Sequence, residues 1–195
     1  MSFRRAKTAT TAGPAERRAR ATRDPEPMPE NPSEQLRLAY ERALVLLSYR
    51  SRSEHEIRAR LAERAFAGAV IDAAIERLRE QRYLDDARLA LDQARSRITS
   101  SAHSRRRVER DLQRRGIDSE HSRDAIAAVQ SDHGLDDSAV AEQAARKKLR
   151  SLTKHAPDEQ YKRLLAYLAR QGHSFDAAKK AARAVLSAAA EPEDR

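Results

Sequence analysis

The chain has 195 residues and a formal net charge of +9, with 39 Lys and Arg against 30 Asp and Glu, and 32 of those 39 cations are arginine. The absence of Cys excludes disulfides and thiolate metal sites, and no apolar run approaches the ~20 residues that cross a bilayer. No secretory h-region is present either, so a cytoplasmic protein without membrane contact is expected.

Aromatics make up only 4% of the chain, which leaves the core to Leu, Ala, Ile and Val. Residues 1–32 hold five of the seven prolines and few large apolar groups. Such a segment cannot offset the entropy of ordering, so a disordered basic extension is predicted there. From residue 33 onward helical patterns follow one another without a strand pattern. The first runs from about 33 to 49, with Leu36, Tyr40, Ala43, Leu44 and Leu47 on one stripe. Ser53 opens the second with capping-box spacing to Glu56, and Ile57 and Leu61 form its apolar face. The third, about 69–80, presents Val70, Ile71, Ala74, Ile75 and Leu78. Asp85 or Asp86 caps the fourth, which carries Leu89, Ala90 and Ala94. The fifth spans about 102–115 and stops at Gly116, which tolerates a left-handed conformation. Asp118 or Ser119 starts the sixth, with Ala125, Ile126 and Val129. The seventh follows Asp136-Asp137 and reaches about Leu152. Pro157 suits the first turn of the eighth, which holds Leu164 and Leu168 and ends at Gly172. The ninth, from Ser174, uses Phe175, Ala178, Ala182, Val185 and Leu186, and residues 189–195 read as a frayed tail.

These helices repeat. Ile57, Val108 and Leu164 are each followed four residues later by Leu61, Leu112 or Leu168, then by Ala65, Gly116 or Gly172. Ala39, Ala90 and Ala141 lie 51 apart, as do Ala43, Ala94 and Ala145, and Leu84-Asp85-Asp86 recurs as Leu135-Asp136-Asp137. The interval from Leu112 to Leu168 is 56, and the extra five residues fall in a polar loop within 151–160. A period of this length predicts an all-α, elongated and curved array of three tandem three-helix, helix-turn-helix-like units. The expected divisions are 33–82, 83–132 and 133–188. Arrays of this kind bind partners along a surface, so neither an enzyme nor a cofactor is expected.

With the repeat in view, the chain resembles the RecX family of recombinase regulators. The resemblance rests on 47–61 (Leu-Ser-Tyr-Arg-Ser-Arg-Ser-Glu-His-Glu-Ile-Arg-Ala-Arg-Leu), Tyr83-Leu84-Asp85-Asp86-Ala87-Arg88, 109–117 and 163–175. It departs from the family's pattern at Arg82 and among Ser101–Ser104, where glycines are usual, at Leu89 for Phe, and at Gln171 for Arg. Ser53, Leu61, Tyr83, Asp86, Leu112, Gly116, Leu168 and Gly172 fall on its motifs and carry a structural expectation. The resemblance implies a cytoplasmic, monomeric modulator of RecA. Such a protein binds the RecA filament on single-stranded DNA and limits ATP hydrolysis, strand exchange and coprotease signalling.

Two cationic clusters are the candidate partner or DNA contacts. One is Arg105, Arg106, Arg107, Arg110, Arg114 and Arg115 on the fifth helix; the other is Arg146, Lys147, Lys148, Arg150 and Lys154. Spacing places Arg107, Arg110 and Arg114 on one face opposite Val108 and Leu112, so reversing all three charges is expected to spare the fold. The Asp pairs read as caps, not metal ligands, and no catalytic constellation or phosphate-binding glycine loop stands out. The alternative is a helix-turn-helix reader acting directly on DNA. Its second helix would begin Asp118-Ser119-Glu120, which phosphate repels.

Overall fold

In the computed structural model the described residues are 29–190. Residues 1–28 and 191–195, which contain most of the expected N-terminal extension and part of the expected frayed tail, lie outside them. The elements are α1 (Pro32–Tyr49), α2 (Glu54–Ala62), α3 (Gly68–Glu80), α4 (Asp86–Arg95), α5 (Arg105–Arg114), α6 (Ser119–Asp132), α7 (Asp137–Leu149), α8 (Pro157–Arg170) and α9 (Phe175–Ala190). No strand occurs among the described residues. Residues 189 and 190, read as part of a frayed tail, belong to α9, which continues to Ala190.

Each unit of three helices is built alike. Its first and third helices share the most extensive contact, and every substantial helix–helix contact lies within a unit. The six alanines in register (Ala39, Ala43, Ala90, Ala94, Ala141 and Ala145) are all fully buried, because small side chains let the two helices approach closely. The second helix of each unit buries its apolar pair, Ile57 with Leu61, Val108 with Leu112, and Leu164 with Leu168.

Capping follows the sequence closely. Ser53 accepts from Glu56 N while the Glu56 side chain accepts from Ser53 N, completing a capping box. Asp85, Asp118 and Asp136 cap α4, α6 and α7. At Gly116 the N–H of Ile117 returns to Leu112 O (3.2 Å) and that of Gly116 to Gln113 O (2.8 Å), the hydrogen-bond pattern of a left-handed C-terminal turn. Arg82 and Ala102 stand where the related pattern has or favours glycine, and both still adopt positive φ (57° and 51°).

The apolar residues form two separate clusters. One belongs to α1–α3 with Leu84; the other runs continuously through α4–α9. The second and third units therefore share a core, and the first keeps its own. Units joined in a row at their edges should be extended. Small-angle scattering of a chain trimmed to the described residues should give a radius of gyration clearly above the ~15 Å of a globule of that length. A value at 15 Å would mean the units fold back on one another.

Three features depart from the sequence reading. Ser96–Ser100 forms one π turn after α4, burying Ile98 and docking on α7 through Gln143 Nε2 to Thr99 O (3.1 Å) and Lys147 Nζ to Ser100 O (2.9 Å). Phe175 is 69% exposed and not part of the apolar face of α9, whose buried residues begin only at Ala178. Helix α5 begins at Arg105, with Ser104 as its cap, and residues 102–104 lie outside it.

Candidate functional site

The two unit-to-unit junctions use one device. The N-cap end of a unit's second helix seats on the left-handed turn that ends the next unit's second helix. Ser53 Oγ donates to Arg115 O at the first junction, and Ser104 N donates to Gln171 O (3.1 Å) at the second. The approach is so close that the turn must be glycine. A Cβ at Gly116 would overlap Cβ and Cγ of His55, and one at Gly172 would lie 2.7 Å from Ser104 Oγ and 2.8 Å from Arg107 Cβ. The corresponding turn of the first unit meets no preceding unit, and there Ala65 takes φ 61°.

Beyond this shared device the junction chemistries differ. Glu56 stands at the first junction, where Arg115 Nη2 donates to its Oε2 (2.8 Å), Arg50 Nη2 to its Oε1 (2.8 Å) and Ser53 N to Oε2 (3.0 Å). Partial burial opposes its ionisation, yet the hydrogen bonds from Arg50, Arg115 and Ser53 outweigh burial and bring its pKa down to about 2. Asp86, half-buried, accepts from Glu54 N (3.0 Å) across the same junction. Burial raises its pKa against that hydrogen bond. In place of Glu56 the second junction has Arg107, whose Nη1 donates to Arg170 O and to Gln171 Oε1 (3.4 Å).

That contact ties one member of the expected cationic strip to the second junction. Arg107 is partly buried at the second junction, although it still lines one cleft with Arg110 and Arg114. The exposed row on α5 is instead Arg106, Arg110 and Arg114, spaced by four. Arg106 and Arg110 have no carboxylate within ion-pair distance among the described residues, whereas Arg114 meets Asp111. Arg105 pairs with Glu109 (3.0 Å) and Arg115 with Glu56, so neither is an open cation.

The second cluster is also partly committed to structure. Arg146 pairs with Glu142 (3.1 Å), Lys147 holds the π turn, and Lys148 Nζ lies 5.8 Å from the Tyr167 ring centroid. Arg150 and Lys154 are exposed. Among the motif residues, Ser53, Leu61, Leu112 and Leu168 are buried, and Gly116 and Gly172 sit in the junctions. Tyr83, expected to be structural, is 55% exposed.

Sequence reasoning missed Arg97 and Arg170. Arg97, Arg107, Arg114 and Arg115 line a cleft of about 390 Å³ between α4 and α5. A second of about 560 Å³, which shares Arg107, Asp111 and Arg114 with the first, is also lined by Arg110 and Arg170. Asp111 is the one acidic lining residue in either cleft. Arg97 lies in the unforeseen π turn, and Arg170 comes from another unit, so neither had a local signal. The arrangement can hold anions in these adjoining clefts along α5 by guanidinium forks.

The second junction also buries two imidazoles. His173 Nε2 meets Ala102 O (3.1 Å), while Nδ1 of His103 has no hydrogen-bond partner among the described residues. Burial first, then the Arg107 and Arg97 charges, depress the His103 pKa to about 4. A depressed imidazole contributes stability that is complete above its unfolded value near 6.5 and is lost as pH falls towards 4. Thermal melts should therefore weaken across that window in wild type and less in His103→Phe. Loss of the Glu56 contribution belongs below pH 4.5, so the two effects separate. Equal pH dependence in both proteins would remove His103 as the cause.

Three family models match in chain order: the first three-helix domain of RecX over residues 39–78, the second over 85–126 and the third over 136–182. The chain belongs to the RecX family. It is 37% identical over 152 residues to the regulatory protein RecX of Mycobacterium ulcerans, covering 75% of this chain and 84% of that one. It is 32% identical over 163 residues to that of Mycobacterium avium, covering 82% and 92%. A crystal structure of RecX from Lactobacillus salivarius superposes with a TM-score of 0.64 at 18% identity, over 78% of this chain and 97% of that one. RecX relatives carry the description of regulatory proteins, and a regulatory role for this member follows. No helix among its described residues is long and apolar enough to cross a membrane.

Proposed function

We propose that this RecX-family protein regulates the RecA recombinase by binding the RecA filament on single-stranded DNA. In doing so it chiefly inhibits ATP hydrolysis, strand exchange and coprotease signalling during the SOS response. It acts as a cytoplasmic monomer without cofactor or catalysis of its own, and the contact face is the exposed row Arg106, Arg110 and Arg114 with the two adjoining clefts beside it. The observation that carries the reading is this row. It places guanidinium groups about one helical turn apart, at ~6 Å steps, on the outside of the central unit of a regulatory-family array. Arginines so placed fork onto the phosphates and carboxylates that a nucleoprotein filament offers.

Direct sequence reading of DNA is not favoured. Helix α6, which would be the recognition helix, begins with Asp118 as its cap and Glu120 in its first turn, both exposed. These carboxylates sit where a reader needs neutral donors or cations. Co-sedimentation tests the choice. The protein should pellet with RecA filaments on single-stranded DNA in clear excess over its binding to equal lengths of bare strand. Equal binding to both would sink the regulator reading and favour a plain nucleic-acid module.

A further inference from the structure

We propose that Glu56 of the first unit is a positioning residue that holds Arg115 of the second unit ready for a phosphodiester group in the α4–α5 cleft. This rests on the reading that the central unit meets a polyanion. It adds where the anion sits and why an acidic side chain is built beside it.

Arg115 is well enclosed, with its side chain 19% exposed against 42% for Arg105 and 77% for Arg114. Its Nη2 is engaged twice, by Glu56 Oε2 (2.8 Å) and by Ser51 O (2.9 Å), both from the first unit. Among the described residues no other nitrogen of its guanidinium makes a hydrogen bond, and the residue borders the cleft. One edge of the fork is thus clamped and the other is left for a ligand. The clamp is itself anchored, because Glu56 takes further hydrogen bonds from Arg50 and from Ser53 N. Its carboxylate stays ionised through the physiological range, so the clamp does not release by titration.

The cleft then presents Arg97, Arg107, Arg114 and Arg115 to a ligand, with Asp111 as the single opposing charge. Arg97 comes from the π turn and has no ion-pair partner among the described residues. The lining offers no aromatic side chain, and its apolar members Val108 and Leu112 are almost wholly covered. A peptide would need pockets for its side chains, and nucleobases would need a stacking surface. Guanidinium groups alone suit the sugar–phosphate backbone, read without regard to sequence.

Fixing a guanidinium before binding removes the entropy that a free arginine loses on contact. Glu56 therefore exerts two opposed effects on an incoming anion: it repels through its charge and it helps through the placement of Arg115. Which one wins decides the inference. If Glu56 were only a nearby negative charge, removing it would tighten anion binding. If it positions Arg115, removing it weakens binding.

The test is fluorescence anisotropy of a labelled single-stranded oligonucleotide with the full-length protein, without RecA, over a range of salt. Arg97→Gln and Arg115→Gln should each weaken binding about tenfold, as charge-assisted hydrogen bonds do when lost. Each should also lower the slope of log K against log salt by roughly one phosphate contact. Glu56→Gln should weaken binding severalfold, as should Glu56→Asp, which keeps the charge but shortens the reach. The Glu56→Gln and Arg115→Gln effects should not add, since they remove one contact. Circular dichroism melts confirm that the variants are folded at the assay temperature.

Tighter or unchanged binding by Glu56→Gln and Glu56→Asp overturns the positioning role. Unchanged binding by Arg97→Gln, which touches no atom of the clamp, overturns the cleft as the site even if the Glu56 variants unfold. Equal affinity for a poly-glutamate peptide of matched charge overturns the phosphodiester assignment. Failure of the RecA reading would look different: loss of preference for filaments over bare strand with these oligonucleotide effects intact.

Discussion

Leu112→Ala is expected to cost about 2–5 kcal/mol of folding stability, the range for truncating a fully buried leucine when the cavity cannot collapse. Leu112 is 1% exposed and lies in the apolar cluster that the second and third units share. Leu168, fully buried at the same place in the third unit, should behave alike. Because the two units share one core, either substitution should lower a single cooperative transition spanning α4–α9. The first unit, with its separate cluster, should be protected from both. Urea melts followed by circular dichroism, with hydrogen exchange to assign regions, provide the measurement. Losses below about 0.5 kcal/mol at both leucines would mean that these side chains do not fill the core.

Much of this fold is legible in the sequence because the same physical demands are met three times over. The alanines in register, the leucine of each second helix and the capping serine and aspartates are all local or periodic signals. The structure places each of them as that pattern requires. Gly116 and Gly172 could be read as helix terminators, and they are. Their second duty, letting the previous unit approach His55 and Ser104, could not be read, because it depends on residues about 60 positions away. Glu56 shows the same limit. Its capping box is written in Ser53 and the three residues after it, but its hold on Arg115 is not. Helical spacing alone cannot tell whether Arg107 joins Arg110 in solvent or turns to a carbonyl of α8. The π turn, which supplies Arg97, leaves no periodic trace. Local rules thus gave the helices and the caps, while the charged face could be drawn only once the junctions were known.

The separation between junction and open face leads to the prediction with the largest functional effect. Arg106, Arg110 and Arg114 changed together to Glu should leave the fold intact and abolish inhibition of RecA ATPase. Surface changes away from caps and cores usually shift stability by less than ~0.5 kcal/mol each. Arg106 and Arg110 have no ion pair to lose, and the Arg114–Asp111 pair is exposed and contributes little. Arg107→Glu should behave in the opposite way as far as stability is concerned. It takes a partly buried donor from Arg170 O and sets a carboxylate against that carbonyl and the Gln171 amide oxygen, costing about 1 kcal/mol or more at the second junction. ATPase inhibition measured beside thermal unfolding, at two salt concentrations, distinguishes them. Inhibition by wild type should weaken at the higher salt, because exposed charges are screened over ~8–10 Å at moderate ionic strength. The triple variant should melt like wild type and fail to inhibit at either salt. A triple variant that melts normally and still inhibits fully would show the α5 row to be a solvated face. The contact would then have to lie elsewhere, with the exposed Arg150 and Lys154 next in line.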